Sequence, residues 1–291
     1  MARRPEIKIT KVAQLKGHKD SIYDFVVDKK TRTIYSAGAE GYVVKWDIDN
    51  PDNGHLVLQG GEAFYSMTKH ETHLLLGSRN GEIFKVNLAD NTLVSKQKKH
   101  NGGVFFIMDS MSGGEDGVLC YTLDKEQCSL QVSNESLRCI IQSEVSYFIG
   151  ASDHLIYEVN KETMRVTRTL RGHTNSVFAL AFLDENALVS TGRDAMIRAW
   201  DLTIGKEVYS VAAHEYQAKS VSYNGNILIS SSMDKTIKLW NDQLELLKVI
   251  DFARYQGHTN CINKVEWIDE NMFVSCSDDR SLCLWKVEIM L

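Results

Sequence analysis

The sequence predicts an all-β protein in which seven four-stranded antiparallel sheets form a closed, propeller-like ring. A unit of about 40 residues recurs along the chain, which is the interval of one four-stranded propeller blade. Within each unit, short runs of β-branched and aromatic residues alternate with the Gly, Asn and Asp typical of hairpin turns. No segment shows the 3.6-residue apolar period of a helix. We therefore expect one domain over residues 1–291.

Four of the repeats share one frame of residues. Each contains a His, then a Ser, then an acidic residue four positions after the Ser, and a Trp six positions after the acid. These repeats span about residues 15–48, 170–202, 212–242 and 255–287. Their four frame residues are, in turn, His18, Ser36, Glu40 and Trp46; His173, Ser190, Asp194 and Trp200; His214, Ser230, Asp234 and Trp240; and His258, Ser275, Asp279 and Trp285.

Three weaker repeats lie between the first and second clear ones, at about residues 58–88, 98–132 and 133–160. We expect Val86, Val132 and Val159 to replace their terminal Trp.

Gly-His and Trp-Asp dipeptides in the clear repeats resemble those of a known family. Gly17-His18, Gly172-His173 and Gly257-His258, with Trp46-Asp47 and Trp200-Asp201, resemble the WD40 repeat. In that family a repeat begins with the outermost strand of the preceding blade, so residues 6–15 have no blade of their own. The resemblance implies that they complete the blade of residues 258–290 and close the ring, which removes the exposed edges of an open array.

Ser, His and Asp are the ingredients of a catalytic triad, but here the set recurs in every clear repeat. A catalytic site is ordinarily built once, whereas a network that stiffens a repeat is built once per repeat. The resemblance implies a buried chain from Trp through Ser and His to the acid, which stabilises when every member is satisfied. We predict that these residues are structural, that no residue is catalytic and that the protein is not an enzyme.

The partner-binding residues are predicted from the family frame. Exposed positions lie three and five residues after the His and one before the acid, on the face that carries these loops, here called the top face. Aromatic and Arg side chains are favoured as interface anchors. We predict that the anchors are Tyr23, Phe64, Arg79, Phe178 and Arg193. Phe64 and Arg79 depend on aligning Gly61 with the His of the repeat, and a core position is the alternative for Phe178.

Composition excludes several classes of function. The formal net charge of −5 and the pI near 6.0 argue against a broad nucleic-acid surface. The first residues are not followed by the apolar run of a signal peptide, and no stretch approaches the roughly 18 apolar residues of a membrane span, so we expect a soluble protein that is not exported. The six cysteines form no CxxC pair, which favours buried thiols in a reducing compartment, the cytoplasm or alternatively the nucleus. His70 and His73 have a ligand-like spacing without nearby partners, so no metal and no cofactor are predicted.

The leading hypothesis for function is a non-enzymatic scaffold that recognises a protein or peptide on the top face, as a monomer or as a subunit of a larger complex. Two alternatives remain open at this point. One is a non-catalytic subunit of an RNA- or chromatin-modifying complex, and the other is a propeller enzyme with an axial site, which requires convergent titratable residues at the channel mouth.

Overall fold

The structure is a computed structural model that describes residues 6–123 and 125–290. These residues form 28 strands and one four-residue helix, α1 (Phe252–Tyr255). The strands make seven separate sheets of four antiparallel strands each. The prediction of seven four-stranded antiparallel blades is confirmed.

The first six blades are each built from four consecutive strands. Blades 1 to 3 contain β2 (Ile22–Asp28), β3 (Thr33–Gly38), β4 (Tyr42–Asp47) and β5 (His55–Gln59); β6 (Phe64–His70), β7 (His73–Ser78), β8 (Glu82–Asn87) and β9 (Thr92–Lys98); β10 (Val104–Met108), β11 (Met111–Gly114), β12 (Val118–Leu123) and β13 (Glu126–Gln131). Blades 4 to 6 contain β14 (Leu137–Gln142), β15 (Ser146–Ala151), β16 (Leu155–Asn160) and β17 (Arg165–Arg171); β18 (Val177–Phe182), β19 (Ala187–Gly192), β20 (Met196–Asp201) and β21 (Lys206–Ala212); β22 (Ala218–Tyr223), β23 (Leu228–Ser232), β24 (Ile237–Trp240) and β25 (Leu246–Ile250).

The seventh blade joins the two ends of the chain. It contains β26 (Ile262–Trp267), β27 (Met272–Ser277), β28 (Ser281–Met290) and, as its outermost strand, β1 (Glu6–Lys16). β1 runs antiparallel to β28, from the pair Glu6 and Met290 to the pair Lys16 and Ser281. The predicted closure of the ring by the N-terminal strand is confirmed.

The apolar core lies between neighbouring blades. Second strands such as Thr33–Gly38 are buried along their whole length, whereas outer strands such as Thr92–Lys98 are mostly exposed. This gradient is expected for a sheet that is covered on both faces near the axis and on neither at the rim. Trp46 belongs to one buried apolar cluster with Phe25 of its own blade and Leu284 of the seventh, so the core is continuous between these two blades.

One frame assignment in the third blade is corrected by the strand register. Ser36 pairs with Val44, two residues before Trp46, and in the third blade Ser112 pairs with Cys120. The position of the Trp is therefore taken by Thr122. Val132, which we expected there, follows the end of the fourth strand of the blade at Gln131.

No helix in residues 6–123 and 125–290 has the length and apolar character needed to cross a membrane.

Candidate functional site

The repeated His, Ser, acid and Trp residues form continuous hydrogen-bond chains. In the fifth blade, Trp200 Nε1 donates to Ser190 Oγ at 2.7 Å, Ser190 Oγ lies 2.7 Å from His173 Nε2, and His173 Nδ1 lies 2.9 Å from Asp194 Oδ2. When the neutral imidazole donates its Nδ1–H to the carboxylate, Nε2 accepts the Ser hydroxyl proton, so each donor in the chain points from Trp towards Asp. The other three clear repeats contain the same three contacts.

The acid at the end of each chain holds a tight turn. Asp194 accepts hydrogen bonds from the amides of Thr174 and Met196, and the intervening Ala195 has a left-handed φ of 63°. Burial alone would raise the pKa of Asp194, but the His173 hydrogen bond and charge, together with these amides, lower it to about 2. The carboxylate therefore fixes the geometry of the top-face hairpin.

The three weaker blades keep parts of this chain or none of it. The third retains His100, Ser112 and Asp116, with 2.8 Å from His100 Nε2 to Ser112 Oγ. In the fourth, Ser133 and Tyr157 both donate to Asp153 at 2.5 Å. In the second, none of the frame residues remains, and apolar side chains fill the space.

A second set of residues lines the mouth of the central channel on the top face. In every blade, the register between the first two strands shifts around the second residue of the first strand. A bulge of this kind leaves one residue out of the ladder and re-aims its side chain. The seven bulge residues, here called the mouth ring, are Tyr23, Tyr65, Phe105, Arg138, Phe178, Lys219 and Asn263. Together they line a cavity of about 220 Å³.

One side of the mouth ring is aromatic. The Tyr23 and Tyr65 rings meet edge to face with centroids 5.5 Å apart, and Tyr65 stacks on Phe105 at 5.6 Å with an interplanar angle of 10°. All three side chains are partly exposed. They form a continuous aromatic surface across three blades.

The other side of the mouth ring is cationic. The Arg138 guanidinium lies 4.2 Å from the centre of the Phe105 ring and 6.0 Å from that of Phe178. Lys219 Nζ lies 4.7 Å and the Arg193 guanidinium 5.7 Å from the Phe178 ring centre. Three cations thus surround one phenyl ring at the channel mouth.

Of the five predicted anchors, four are at least partly exposed and one is buried. Tyr23 and Phe178 belong to the mouth ring. Arg193 is exposed beside it, with its guanidinium 5.7 Å from the Phe178 ring centre, and Arg79 is exposed directly after the end of β7. The prediction for Phe64 is wrong, because this side chain is fully buried and meets Phe84 edge to face. Phe64 pairs with Ser78 as Ile22 pairs with Gly38, so Gly60, and not Gly61, takes the position of the His.

The shift by one residue also identifies residues that the sequence prediction missed. Tyr65 occupies the exposed position that was assigned to Phe64. Arg138 follows from placing Ser133 at the position of the His, because both Tyr23 and Arg138 then lie five residues further on. The signal was the constant spacing, which the adjacent glycines at 60 and 61 and the missing His at 133 obscured.

Of the other groups considered in the sequence, Cys261 lies beside the mouth ring, with its Sγ 3.4 Å from Asn263 Oδ1. His70 and His73 face each other at the end of the hairpin between β6 and β7. No cluster of three metal-ligating side chains occurs within the described ranges. All six cysteines are free thiols, and Cys261, Cys276 and Cys283 are buried.

Comparison with known proteins gives one family. The model described as WD domain, G-beta repeat matches residues 9–47, 164–201, 205–241 and 251–286, just over half of the chain. The chain is 27% identical over 133 residues to a guanine nucleotide-binding protein subunit beta of Lymnaea stagnalis, covering 45% of this chain and 39% of that protein. It is 28% identical over 120 residues to a ribosome biogenesis protein WDR12 homolog of Aedes aegypti, covering 40% of this chain and 28% of that protein. The chain therefore aligns with well under half the length of either relative.

The fold has a close counterpart among solved structures. The crystal structure of the WD40 beta propeller domain of Doa1 superposes with a TM-score of 0.84 and 21% sequence identity, covering 96% of this chain and 97% of that one. At this identity the likeness concerns the fold.

Proposed function

Because the chain belongs to the WD40 repeat family, we propose that it is a non-enzymatic scaffold that holds a protein or peptide partner on its top face. The observation that carries this proposal is the mouth ring. Six of its seven members are aromatic or cationic, although the hydrogen-bond chains that stabilise the repeats make no use of them. Aromatic and Arg side chains are the residues that most often contribute strongly to protein interfaces.

The side chains of the mouth ring are pre-arranged for recognition of a partner. The bulges hold its side chains on rigid strands, and successive rings and guanidinium groups contact one another from blade 1 to blade 6. A partner would therefore meet a surface that loses little conformational entropy on binding. The exposed Arg79 and Arg193 extend this surface outwards.

The hydrogen-bond chains support the non-enzymatic part of the proposal. Ser36, Ser190, Ser230 and Ser275 have an exposed fraction of 0%. Each Oγ contacts both an indole N–H and an imidazole, so its hydrogen-bonding capacity is used within the blade. A nucleophile must reach its substrate, and these hydroxyls are inaccessible.

The six free thiols support a reducing compartment such as the cytoplasm for this scaffold.

The test begins with recovery of the partner from native extract and continues with titration of the purified partner against three forms of the protein. Tyr65→Ala removes the centre of the aromatic surface, and we expect a loss of affinity of at least about tenfold. Tyr209→Ala is the matched control, because Tyr209 is 53% exposed at the rim on β21. Loss of binding in the Tyr209 variant alone would place the partner on the rim and contradict the proposal.

A further inference from the structure

We propose that the cationic side of the mouth ring binds an oxyanion, a carboxylate or phosphate group, carried by a peptide segment of the partner. This inference rests on the proposed scaffold function and adds the chemistry of the partner. The anion would lie between the Arg138, Arg193 and Lys219 side chains, and an apolar residue next to it in the peptide would lie against the Tyr65 and Phe105 rings.

The first support is that these cations lack acidic partners. Each lies within 6.0 Å of the Phe178 ring centre. None of the three takes part in an ion pair within residues 6–123 and 125–290. Other arginines in these ranges, such as Arg168 and Arg198, do form ion pairs with acidic side chains. Three like charges gathered without a counter-ion repel one another, and an anion among them would remove that repulsion.

The second support is that Arg138 is held in place while all three cations keep N–H donors free. Arg138 Nε donates to Ser152 Oγ at 2.7 Å, which leaves the terminal nitrogens of its guanidinium for another acceptor. No side-chain hydrogen bond to a described residue uses Arg193 or the ammonium of Lys219. A fixed guanidinium with free N–H groups matches the two oxygens of a carboxylate or phosphate.

The electrostatic environment agrees with this geometry. Burial lowers the pKa of the Lys219 ammonium, and the charges of Arg138 and Arg193 lower it further. The negative charge of Asp278 raises this pKa in part. Burial and the charge of Arg193 likewise lower the pKa of Arg138, whereas the charges of Glu115 and Glu135 raise it. Of these carboxylates, Asp278 is engaged by Asn263 Nδ2 at 2.8 Å, and Glu115 accepts the Gly103 amide at 3.1 Å. These carboxylates keep their charge, but within the described residues none of them forms an ion pair with Arg138, Arg193 or Lys219, so the terminal N–H groups of these cations remain available to an external anion.

The size of the site favours a peptide side chain over a nucleic acid. The cavity of about 220 Å³ is enclosed by seven first strands. Single-stranded nucleic acid needs a basic groove that follows several successive phosphates. Here the unpaired cations surround a single ring, and the chain as a whole carries a formal net charge of −5.

The experiment uses the full-length protein and immobilised hexapeptide libraries in which one position is fixed and the others are randomised. The fixed residue is Glu, phosphoserine, Gln or Lys, and a single-stranded oligonucleotide serves as a further probe. We expect the Glu or the phosphoserine library to retain at least about tenfold more protein than the Gln library, since a charge-assisted pair replaces a neutral one. Comparison of the Glu and phosphoserine libraries distinguishes the two sources of the oxyanion.

Two variants locate the site. Arg193→Gln should remove most of the preference for the anionic library, and it should leave the melting temperature unchanged because Arg193 is exposed. Arg280→Gln is the matched control, since Arg280 is also exposed and lies in the equivalent top-face turn of the seventh blade, directly after Asp279. It should keep the preference.

The outcomes separate this inference from the scaffold function. Equal retention of the Glu, phosphoserine and Gln libraries overturns the anion site, as does a preference that Arg193→Gln leaves intact. If a neutral library is retained and Tyr65→Ala abolishes that retention, the anion site is wrong and the scaffold proposal survives. Strong binding of the oligonucleotide that Arg193→Gln abolishes would replace the peptide by a nucleic acid.

Discussion

The ring of Phe64 occupies the space that any side chain at residue 60 would need. A Cβ atom added to Gly60 would lie 2.3 Å from Phe64 Cζ. Gly60 takes the position that His residues occupy in five other blades, and the second blade has replaced the remaining polar frame residues too. Leu76 stands in place of the Ser and Val86 in place of the Trp, and both are fully buried. In the second blade the polar chain is thus replaced as a whole by apolar residues, whereas the third and fourth blades keep parts of it.

A single polar residue returned to the second blade should therefore be destabilising. We expect Leu76→Ser to lower the free energy of unfolding by about 2–5 kcal/mol, because it removes buried apolar volume and adds a hydroxyl without the imidazole and indole that satisfy it elsewhere. Urea denaturation measures this difference. Leu75→Ser, at a partly exposed neighbouring position, is the control. Equal stabilities of the Leu76 variant and the wild type would show that the blade tolerates an incomplete chain.

The loss of the polar frame residues from the second blade explains why the structure of this blade could be predicted only in part from the sequence. Ring closure and the four complete hydrogen-bond chains could be predicted because four repeats contain the His, Ser, acid and Trp together at constant spacing. The second blade has no such residues, and the adjacent glycines at 60 and 61 left its frame uncertain by one residue. A shift of one residue in a strand exchanges the two faces of the sheet. The buried Phe64 was therefore predicted to be exposed, and the exposed Tyr65 was missed.

The acid at the end of a complete chain should contribute measurably to stability. We expect Asp194→Ala to lower the free energy of unfolding by about 1–3 kcal/mol, because the buried His173 and the amides of Thr174 and Met196 lose their acceptor. Asp242→Ala, an exposed carboxylate, should change it by less than about 0.5 kcal/mol. Equal effects of the two substitutions in urea titrations would contradict the structural role.

The lowered pKa of these carboxylates also predicts the acid stability. The pKa values of Asp194 and Asp279 fall to about 2 in the folded state, against about 4 for an unfolded chain. Unfolded chains then bind more protons, so the stabilisation is complete above pH 4 and is lost as the pH falls towards 2. The wild type should lose stability over this window, and Asp194→Ala should lose less. Identical slopes of unfolding free energy against pH would be inconsistent with this origin.

The N-terminal strand should be required for a soluble, closed ring. Removal of residues 1–14 takes away most of β1, including the buried Ile7 and Ile9, and exposes the edge of β28. An unpaired strand edge invites pairing between molecules. We expect a lower melting temperature and aggregates in size-exclusion chromatography, whereas removal of residues 1–4 should leave both properties unchanged. A monodisperse 1–14 deletion that melts like the parent would show that β1 is dispensable.

An ion pair beside the channel should couple the seventh blade to the first. Lys264 Nζ on β26 lies 2.8 Å from Asp24 Oδ1 on β2 and donates to the Phe25 carbonyl at 2.7 Å, while Asp24 Oδ2 accepts the amide of Met67 in the second blade at 2.7 Å. Burial opposes the charge of Lys264, but Asp24 and Glu266 raise its pKa, so the ammonium is retained.

Removing both partners of this pair should cost less than the sum of the two single losses. We expect Lys264→Met to lower the free energy of unfolding by about 1.5–3 kcal/mol, because it leaves the Asp24 carboxylate partly buried without its cation. In the double variant with Asp24→Asn the losses should fall short of their sum by about 1 kcal/mol, the interaction expected of residues in direct contact. Lys286→Met is the matched control, since Lys286 pairs with Glu288 at 2.9 Å but its side chain is 49% exposed, and its loss should cost at most about 0.5 kcal/mol. Urea denaturation of the four variants and the wild type gives all the terms. Strictly additive losses for Lys264 and Asp24 would mean that the two side chains act independently and that the blades are held together by apolar packing alone.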